Sequence, residues 1–217
     1  MVATVPGSRR FEPREVRRQQ LMDATIQSIA RYGLSGTTMT TVTGLANLSM
    51  GIVSFHFQNK DNLLVETLAH LAEEHRRVWR AAFARAGLSP ERKLWAFVEA
   101  HFHPQVCTRE KLSVWFAFFG DARYRQLYRD RIRDIDKERW QEARRLCAQI
   151  GREGGYGQAD PDEIAKSLEG LYDGLWINIM MYPESFSADA AKVQVRRFLA
   201  AVYPRHFGAS FDPMADG

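Results

Sequence analysis

Residues 37–64, TTMTTVTGLANLSMGIVSFHFQNKDNLL, constrain the fold more than any other part of the chain. Their pattern predicts two short helices separated by a three-residue turn, Asn47-Leu48-Ser49, and then a long helix from Lys60. The first short helix, over 41–46, is rich in Thr and Gly and too short to be stable alone, so its neighbours must hold it. Asn47 is suited to the left-handed conformation that ends a helix, and Ser49 is placed to cap the next one.

The two short helices have different faces. An inward side is predicted for the apolar residues Val42, Leu45, Leu48, Val53 and Phe57. An outward side is predicted for Thr41, Thr43, Met50, Ile52, Ser54 and Phe55. An outer face of small, polar and slim apolar side chains is what a helix needs in order to lie close to base edges in a DNA groove. The segment is therefore interpreted as a helix-turn-helix.

The net charge of the chain, +4, is concentrated at the same end. Residues 1–60 carry seven Lys and Arg against three acids, whereas the remainder is balanced. A local excess of positive charge favours a polyanionic partner there. Arg9, Arg10 and Arg14 either reach a neighbouring groove as an arm or only increase solubility, and the sequence leaves both readings open.

The rest of the chain is also helical in pattern, and no stretch shows the alternation of a strand. Further helices are predicted over 14–32, from 60 to about 87, from 89 to before 104, and over 110–119, 124–150, 161–182 and 188–203, with a Gly-rich loop over 151–157. The predicted fold is all-α with about nine helices. It comprises a flexible arm (1–13), a helix-turn-helix domain (14–60) and a helical regulatory and dimerisation domain (61–217).

Composition and motifs disfavour several other classes. No apolar run approaches the roughly 20 residues that span a bilayer, and the N-terminus lacks the apolar core of a signal peptide. Cys107 and Cys147 are isolated, which fits a reducing cytoplasm. His101 and His103 point about 200° apart on a helix and so make a poor metal site. With no nucleophile setting and no phosphate-binding loop, we expect no enzyme, no cofactor, no metal and no membrane partner.

The helix-turn-helix segment resembles the N-terminal domain of the TetR family of bacterial transcription factors. The matching residues are Thr40-x-Val42, Leu45-Ala46, Leu48-Ser49-x-Gly51 and Ser54-x-His56-Phe57-x-x-Lys60-x-x-Leu63-Leu64. Asn47 stands where the family usually has Gly, and Ser54 where it often has Tyr. Ser54, the opening run 17–21 (RRQQL), the stretch 173–176 (DGLW) and Trp115-x-Ala117-Phe118 are similar to the BetI-like, betaine-pathway subgroup.

This resemblance implies a homodimer that binds a double-stranded DNA operator with inverted-repeat symmetry and releases it when a small-molecule inducer binds. The residues that it implies for DNA contact are Thr40, Thr41, Met50, Gly51, Ile52, Ser54, Phe55, His56 and Lys60. Thr40 and Thr41 would cap the first helix and contact phosphate, Gly51 would allow close approach, and His56 and Lys60 would contact phosphates with charged groups. The last two helices of each subunit would form the dimer, consistent with a 161–182 helix that is apolar on more than one face.

The regulatory half has a concentration of aromatic residues, comprising Trp115, Phe116, Phe118, Phe119, Tyr172, Trp176 and Tyr182. Recognition of choline, a quaternary ammonium, needs aromatic faces and a carboxylate such as Asp173 or Asp121. Trp115, Phe119, Tyr172, Asp173 and Trp176 are therefore the predicted ligand-binding residues. Three alternatives stay open: most of these rings form an ordinary core, the ligand is an unrelated apolar molecule, or this domain only dimerises. A helical enzyme or carrier is the remaining class.

Overall fold

A computed structural model of the chain describes residues 13–84 and 89–212. Over these ranges the regular structure is α-helical, in ten helices, which confirms the predicted all-α class. The helices are α1 (Arg14–Gly36), α2 (Met39–Ala46), α3 (Met50–Phe57), α4 (Lys60–Phe83), α5 (Pro90–His101), α6 (Arg109–Gly120), α7 (Arg125–Gly154), α8 (Pro161–Met181), α9 (Ala188–Val202) and α10 (Pro204–Phe207). The predicted number is one short, because the single turn of α10 is too short to show a periodic pattern. Of the predicted arm 1–13, all but Pro13 lies outside the described residues.

The chain divides into two compact units, one up to Thr67 and one from Leu68 onward, so the boundary falls within α4. The predicted boundary after residue 60 lies slightly earlier, at the start of that helix. The first unit packs around one apolar cluster, formed by Leu21, Met22, Ala24, Val42, Val53, Phe57 and Leu63. Leu45 and Leu48 are partly buried against it, so the predicted inward face of the helix-turn-helix is the one that packs.

Hydroxyl groups hold α1 and α2 together. Gly33 breaks the regular geometry of α1 with a φ of 68°, directly after the predicted helix 14–32, although α1 extends to Gly36. Thr37 then donates from its backbone N–H and its hydroxyl to the Gly33 carbonyl, at 3.1 and 2.8 Å. The Ser28 hydroxyl donates to Thr37 Oγ1 at 3.1 Å and lies equally close to Thr41 Oγ1. These buried contacts supply the support that the short helix α2 needs from its neighbours.

The turn between α2 and α3 has the predicted geometry. Asn47 is left-handed, with φ 51° and ψ 45°, and ends α2 at the predicted position. Ser49 precedes α3 as predicted, but its side chain makes no capping hydrogen bond in the described structure. Its carbonyl instead accepts from Ile52 N and Val53 N. Ser49 is thus at the predicted cap position, but it does not cap α3 with its side chain.

The second unit is built around α5, α7 and α8, with α7 packed on both others. α8 begins as predicted, with Pro161 in its first turn and the Asp160 carboxylate accepting from Asp162 N at 2.8 Å. The predicted Gly-rich loop over 151–157 is wrong in its first half, because α7 continues to Gly154 and ends at a left-handed Gly155. None of the helices described between residues 13 and 212 is long and apolar enough to cross a bilayer.

Candidate functional site

Four predicted DNA-contact residues are exposed along α3. Phe55 is 68% exposed and Met50 44% exposed, which is unusual for large apolar side chains. Gly51 and Ser54 are exposed between them. Because apolar side chains normally avoid water, this arrangement is typical of a surface that binds another molecule.

Three residues predicted to face outward, Thr41, Thr43 and Ile52, are instead partly or wholly inside. Ile52 is half-buried and packs against the core of the first unit, so only part of its side chain faces solvent. Thr43 is buried, and its hydroxyl donates to the Thr40 carbonyl at 3.0 Å. A helix of only two turns has no room for a fully exposed half, since neighbouring elements contact it on several sides.

The N-terminus of α2 is capped one turn earlier than predicted. Thr38 is the capping residue, and its hydroxyl accepts from Thr41 N at 3.0 Å. Thr41 completes the capping box by accepting from Thr38 N at 2.8 Å and donating to the Thr38 carbonyl. The hydroxyl of Thr41 is therefore committed to the fold, whereas the side chain of Thr40 is exposed. Phosphate contact by either hydroxyl stays a prediction.

Gly51 is not required by the fold of the isolated chain. A Cβ added at this position would meet only the Ser49 hydroxyl oxygen among the described residues, at an ordinary contact distance of 3.9 Å. The backbone is helical, so no left-handed conformation demands glycine. A need for glycine at this position would therefore come from a molecule that approaches α3 closely.

His56 and Lys60 are both less available than the sequence indicated. Burial and the nearby charges of Arg14 and Arg18 lower the pKa of His56 in the free protein, and phosphate contact by this side chain stays a prediction. Lys60 is half-buried, and its ammonium donates to the Leu34 carbonyl at 2.8 Å. It thereby satisfies a carbonyl at the end of α1, a structural role that sequence analysis missed.

The start of α1 contributes to the same surface. Arg14 is the first residue of α1, and its guanidinium lies over the Phe55 ring at 5.3 Å from the centroid. Arg18 lies over Phe57 at the same distance and also pairs with Glu66 at 2.7 Å. Arg14 thus belongs to α1 and not to a separate arm. Its guanidinium adds a positive charge beside the exposed face of α3.

The second unit contains a small cavity among α4, α5, α6, α7 and α8, with a volume of about 30 Å³. All five predicted ligand-binding residues line it. The full lining is His75, His101, Trp115, Phe119, Tyr128, Arg139, Glu169, Tyr172, Asp173 and Trp176. The structure therefore brings together the predicted set from two separate stretches of sequence, one on α6 and one on α8.

Aromatic rings form most of this wall. Trp115 and Trp176 are nearly parallel, at 30°, with centroids 6.4 Å apart. Phe119 and Tyr128 meet edge to face with centroids 5.1 Å apart. Their centroids lie 6.4 and 6.1 Å from that of Trp115. The Trp176 indole N–H donates to the His101 carbonyl at 3.0 Å, which fixes its orientation. Ring faces held in this way are the groups that bind a quaternary ammonium.

The charges near the cavity are unequal. The Arg139 guanidinium donates to both Glu169 oxygens, the shorter contact being 2.7 Å, and to Asp136 at 2.9 Å. Arg139 holds the pKa of Glu169 below its usual value despite burial. With Asp173 also lining the cavity, one guanidinium faces three carboxyl groups. The region therefore has a surplus of negative charge.

Titration shifts agree with this surplus. Asp173 as a whole is exposed, but desolvation of its carboxyl group beside the cavity and the Glu169 carboxylate raise its pKa to about 6. Burial also raises the pKa of Asp136. Burial lowers the pKa of His101 to about 4 and that of His75 well below its usual value, so neither imidazole contributes positive charge at pH 7. An added cation would relieve the repulsion among the carboxylates.

Several residues of the predicted aromatic concentration lie elsewhere. Phe118 is fully buried and packs on Tyr124, away from the cavity, and Tyr182 is 56% exposed. Asp121, the alternative carboxylate, pairs with Arg123 at 2.8 Å and does not line the cavity. Sequence reasoning missed the other five lining residues, His75, His101, Tyr128, Arg139 and Glu169. They sit on helices that also carry charged residues, and most of them look like parts of solvated faces.

Two other features, the histidines at the end of α5 and an open cleft, are weaker candidates for a site. His101 is buried, while His103 lies exposed beyond the end of α5, and the described residues include no group of three or more possible metal ligands. A wider, open cleft of about 510 Å³ runs along α4 and α5, but no Trp, Tyr or Phe lines it. The small aromatic cavity is the better candidate because it combines rings, buried polar groups and a charge imbalance.

Comparison with known proteins assigns both parts of the chain to families. Residues 21–67 match the family of bacterial regulatory proteins named after TetR, and residues 90–204 match the C-terminal domain of the BetI-type transcriptional repressors. The HTH-type transcriptional regulator BetI of Paraburkholderia phymatum is 35% identical over 181 residues, which cover 82% of this chain and 88% of the relative.

Solved structures show the same fold. A transcriptional regulator of Pseudomonas aeruginosa has a TM-score of 0.72 and 25% identity, with coverage of 91% of this chain and 95% of its own. A regulator of Saccharomonospora viridis, solved in complex with choline, has a TM-score of 0.74 and 20% identity, with coverage of 85% and 96%.

A helix-turn-helix unit joined to a helical regulatory unit defines a bacterial one-component transcription factor, not an enzyme. The chain belongs to the TetR family and is a transcriptional repressor of the BetI type.

Proposed function

We propose that this protein acts in the cytoplasm as a ligand-responsive repressor. It binds an inverted-repeat operator as a homodimer and is released by choline or a related quaternary ammonium. The single observation that carries the ligand assignment is the aromatic cavity, whose rings surround a region with more carboxylates than cations. The choline complex of the Saccharomonospora viridis regulator, which has the same fold, supports this assignment.

For DNA, the proposal assigns base contact to the exposed side chains of α3, namely Met50, Ser54 and Phe55, with part of Ile52. Gly51 allows close approach, and Thr40, His56 and Lys60 contact phosphates. A Lys ammonium has three donors, so Lys60 retains donors for a phosphate while it holds the Leu34 carbonyl. Thr41 contributes mainly by capping α2.

The size of the cavity supports a conformational response. A volume of about 30 Å³ accommodates about one or two water molecules, much less than a quaternary ammonium needs. Entry of the ligand therefore requires rings such as Trp115 and Phe119 to move. A ligand that fits only a rearranged domain has unequal affinity for two conformations, which is the condition for shifting a population.

Exposed apolar side chains support the dimer. Ile177 and Met181 on α8, and Val193 on α9, are between 42% and 57% exposed in the single chain. Apolar patches of this kind on a single subunit mark interaction surfaces. We assign them to the contact between subunits.

The test is calorimetry with choline and with 3,3-dimethylbutanol, its uncharged isostere. The proposal predicts that choline binds and the alcohol binds at least tenfold more weakly, because cation–π contacts contribute about 0.5–2 kcal/mol each. Asp173→Asn is expected to weaken choline binding several-fold and to leave the alcohol unaffected. Equal affinity for both compounds would instead assign the cavity to an apolar ligand, and no binding of either would leave a domain that only dimerises.

A further inference from the structure

Two buried polar atoms in the wall of the aromatic cavity lack partners. His75 Nε2 and the Tyr172 hydroxyl have no hydrogen-bond partner in the part of the chain that the structure describes. The two residues are 3% and 2% exposed, and both line the cavity. Because buried polar groups are normally hydrogen-bonded, two unpartnered groups that belong to residues lining one cavity point to a ligand.

Four other polar side chains in this wall have partners within the protein. The Trp176 indole donates to the His101 carbonyl, and His101 Nδ1 lies 2.9 Å from the Phe97 carbonyl. Arg139 and Glu169 bind each other. Among the fully buried side-chain atoms of the described wall, the ones that lack a partner are His75 Nε2 and the Tyr172 hydroxyl.

Ring packing fixes the orientation of both groups. The His101 ring stacks on Tyr172 with centroids 3.9 Å apart and meets the His75 ring edge to face at 4.5 Å. His101 thus holds both of its neighbours in place. Preorganised polar groups of this kind select a ligand by geometry, since little side-chain entropy is lost on binding.

The chemistry of the pair favours an alcohol. Burial lowers the pKa of His75 and raises the pKa of Tyr172, so both side chains are neutral at pH 7. A phenol donates and a neutral imidazole nitrogen accepts, and a hydroxyl group is able to pair with both at once. A carboxylate only accepts, and it would lie close to Glu169, which also lines the cavity.

We propose that His75 and Tyr172 form a polar subsite that binds the hydroxyl group of an amino alcohol whose quaternary ammonium lies against Trp115 and Trp176. This inference rests on the proposed cation site and goes beyond it, because it names the residues that distinguish ligands with the same ammonium group. Tyr172 donates to the ligand oxygen, and the ligand hydroxyl donates to His75 Nε2.

The test compares choline with propyltrimethylammonium, in which a methyl group replaces the hydroxyl. Calorimetry of the wild-type protein is expected to show at least a tenfold preference for choline. Tyr172→Phe keeps the ring that stacks on His101, so it should reduce this preference to about threefold or less while the affinity for propyltrimethylammonium changes less than twofold. Its unliganded melting temperature should be equal or higher, because the substitution removes an unpartnered buried hydroxyl.

Tyr156→Phe is the matched control. Tyr156 lies in the same unit but does not line the cavity, and its hydroxyl accepts from Arg205 N at 2.7 Å. Its loss should leave the preference for choline unchanged. Equal binding of choline and propyltrimethylammonium by the wild type, or an unchanged preference in Tyr172→Phe, would overturn this inference and leave the cation site standing. If neither ammonium bound, the proposed function itself would fail and this inference with it.

Discussion

At the scale of single residues, Gly51 separates a functional requirement from a structural one. The fold leaves room for a methyl group there, and helical alanine is more stable than helical glycine by about 0.5–1 kcal/mol. Gly51→Ala is therefore expected to keep or raise the melting temperature while it weakens operator binding by at least tenfold. Fluorescence anisotropy with an operator duplex measures the second effect.

Gly151→Ala provides the control for that substitution. Gly151 also lies in a helix with open space at its Cβ position, but in the second unit. It should show the stability gain without the loss of DNA affinity. Unchanged DNA binding by Gly51→Ala would show that α3 does not approach DNA closely at this residue.

Asp173 makes ligand affinity depend on pH. Its pKa of about 6 in the free protein should fall when a cation binds beside it, so binding releases a proton and strengthens as pH rises from 5 to 7. The expected gain in choline affinity is about three- to tenfold. Glu169, Arg139 and Asp136 face the same region. Of these three, only Asp136 is a carboxyl group with a raised pKa, so it alone adds to the release of protons on binding.

Calorimetry at several pH values, in buffers of different ionisation enthalpy, measures both the affinity and the released proton. Asp173→Asn should flatten most of the dependence. Because folding raises the pKa of Asp173, its ionisation disfavours the folded state above pH 6, and this cost is lost as pH falls from about 6 to the ordinary Asp value of 3.8. An affinity that increased toward pH 5 would contradict the placement of the cation.

At the scale of elements, the start of α1 and the whole of α3 form one DNA-facing surface. Several basic groups per subunit are expected to neutralise phosphates. A plot of the logarithm of the DNA association constant against the logarithm of the salt concentration should therefore have a slope of roughly −4 to −8 for the dimer. Arg14→Gln should make this slope less negative by about 1–2, since each dimer carries two copies. Arg129→Gln, an exposed arginine of α7, is the control and should leave the slope unchanged. A slope near zero would exclude phosphate-driven binding.

Much of this architecture was predictable because local chemistry determined it. Asn47 ends α2, Asp160 with Pro161 starts α8, and the inward apolar residues of the helix-turn-helix pack as the pattern indicated. The misplaced features depended on neighbours. Thr38 caps α2 where Thr40 and Thr41 were expected, and the position of a helix start depends on how its first turn meets α1.

The ligand cavity was predictable only in part, for a physical reason. Aromatic residues such as Trp115 and Trp176 are conspicuous in any sequence, and the resemblance to the BetI-type subgroup grouped them. His75, Arg139 and Glu169 lie among many charged residues on α4, α7 and α8, where a polar residue usually faces water. Only the packing of those helices shows that these three are turned toward a cavity.

At the scale of the whole molecule, the proposed repressor is a symmetric dimer that forms through α8 and α9. Ile177→Glu, which places a charge in the exposed apolar patch, should convert the dimer to a monomer in sedimentation experiments. Leu127→Glu is a matched control, because Leu127 on α7 is 44% exposed against 42% for Ile177. Dissociation by both substitutions, or by neither, would contradict this choice of interface.

The most direct test of the central claim is release of DNA by the ligand. An operator duplex, taken from an inverted repeat beside the gene and labelled for anisotropy, is bound by the protein and titrated with choline. Choline is expected to release the duplex at concentrations where 3,3-dimethylbutanol does not. The choline concentration that releases half of the duplex should be close to the Kd measured by calorimetry. Duplex that stayed bound while choline saturated the protein would contradict that claim.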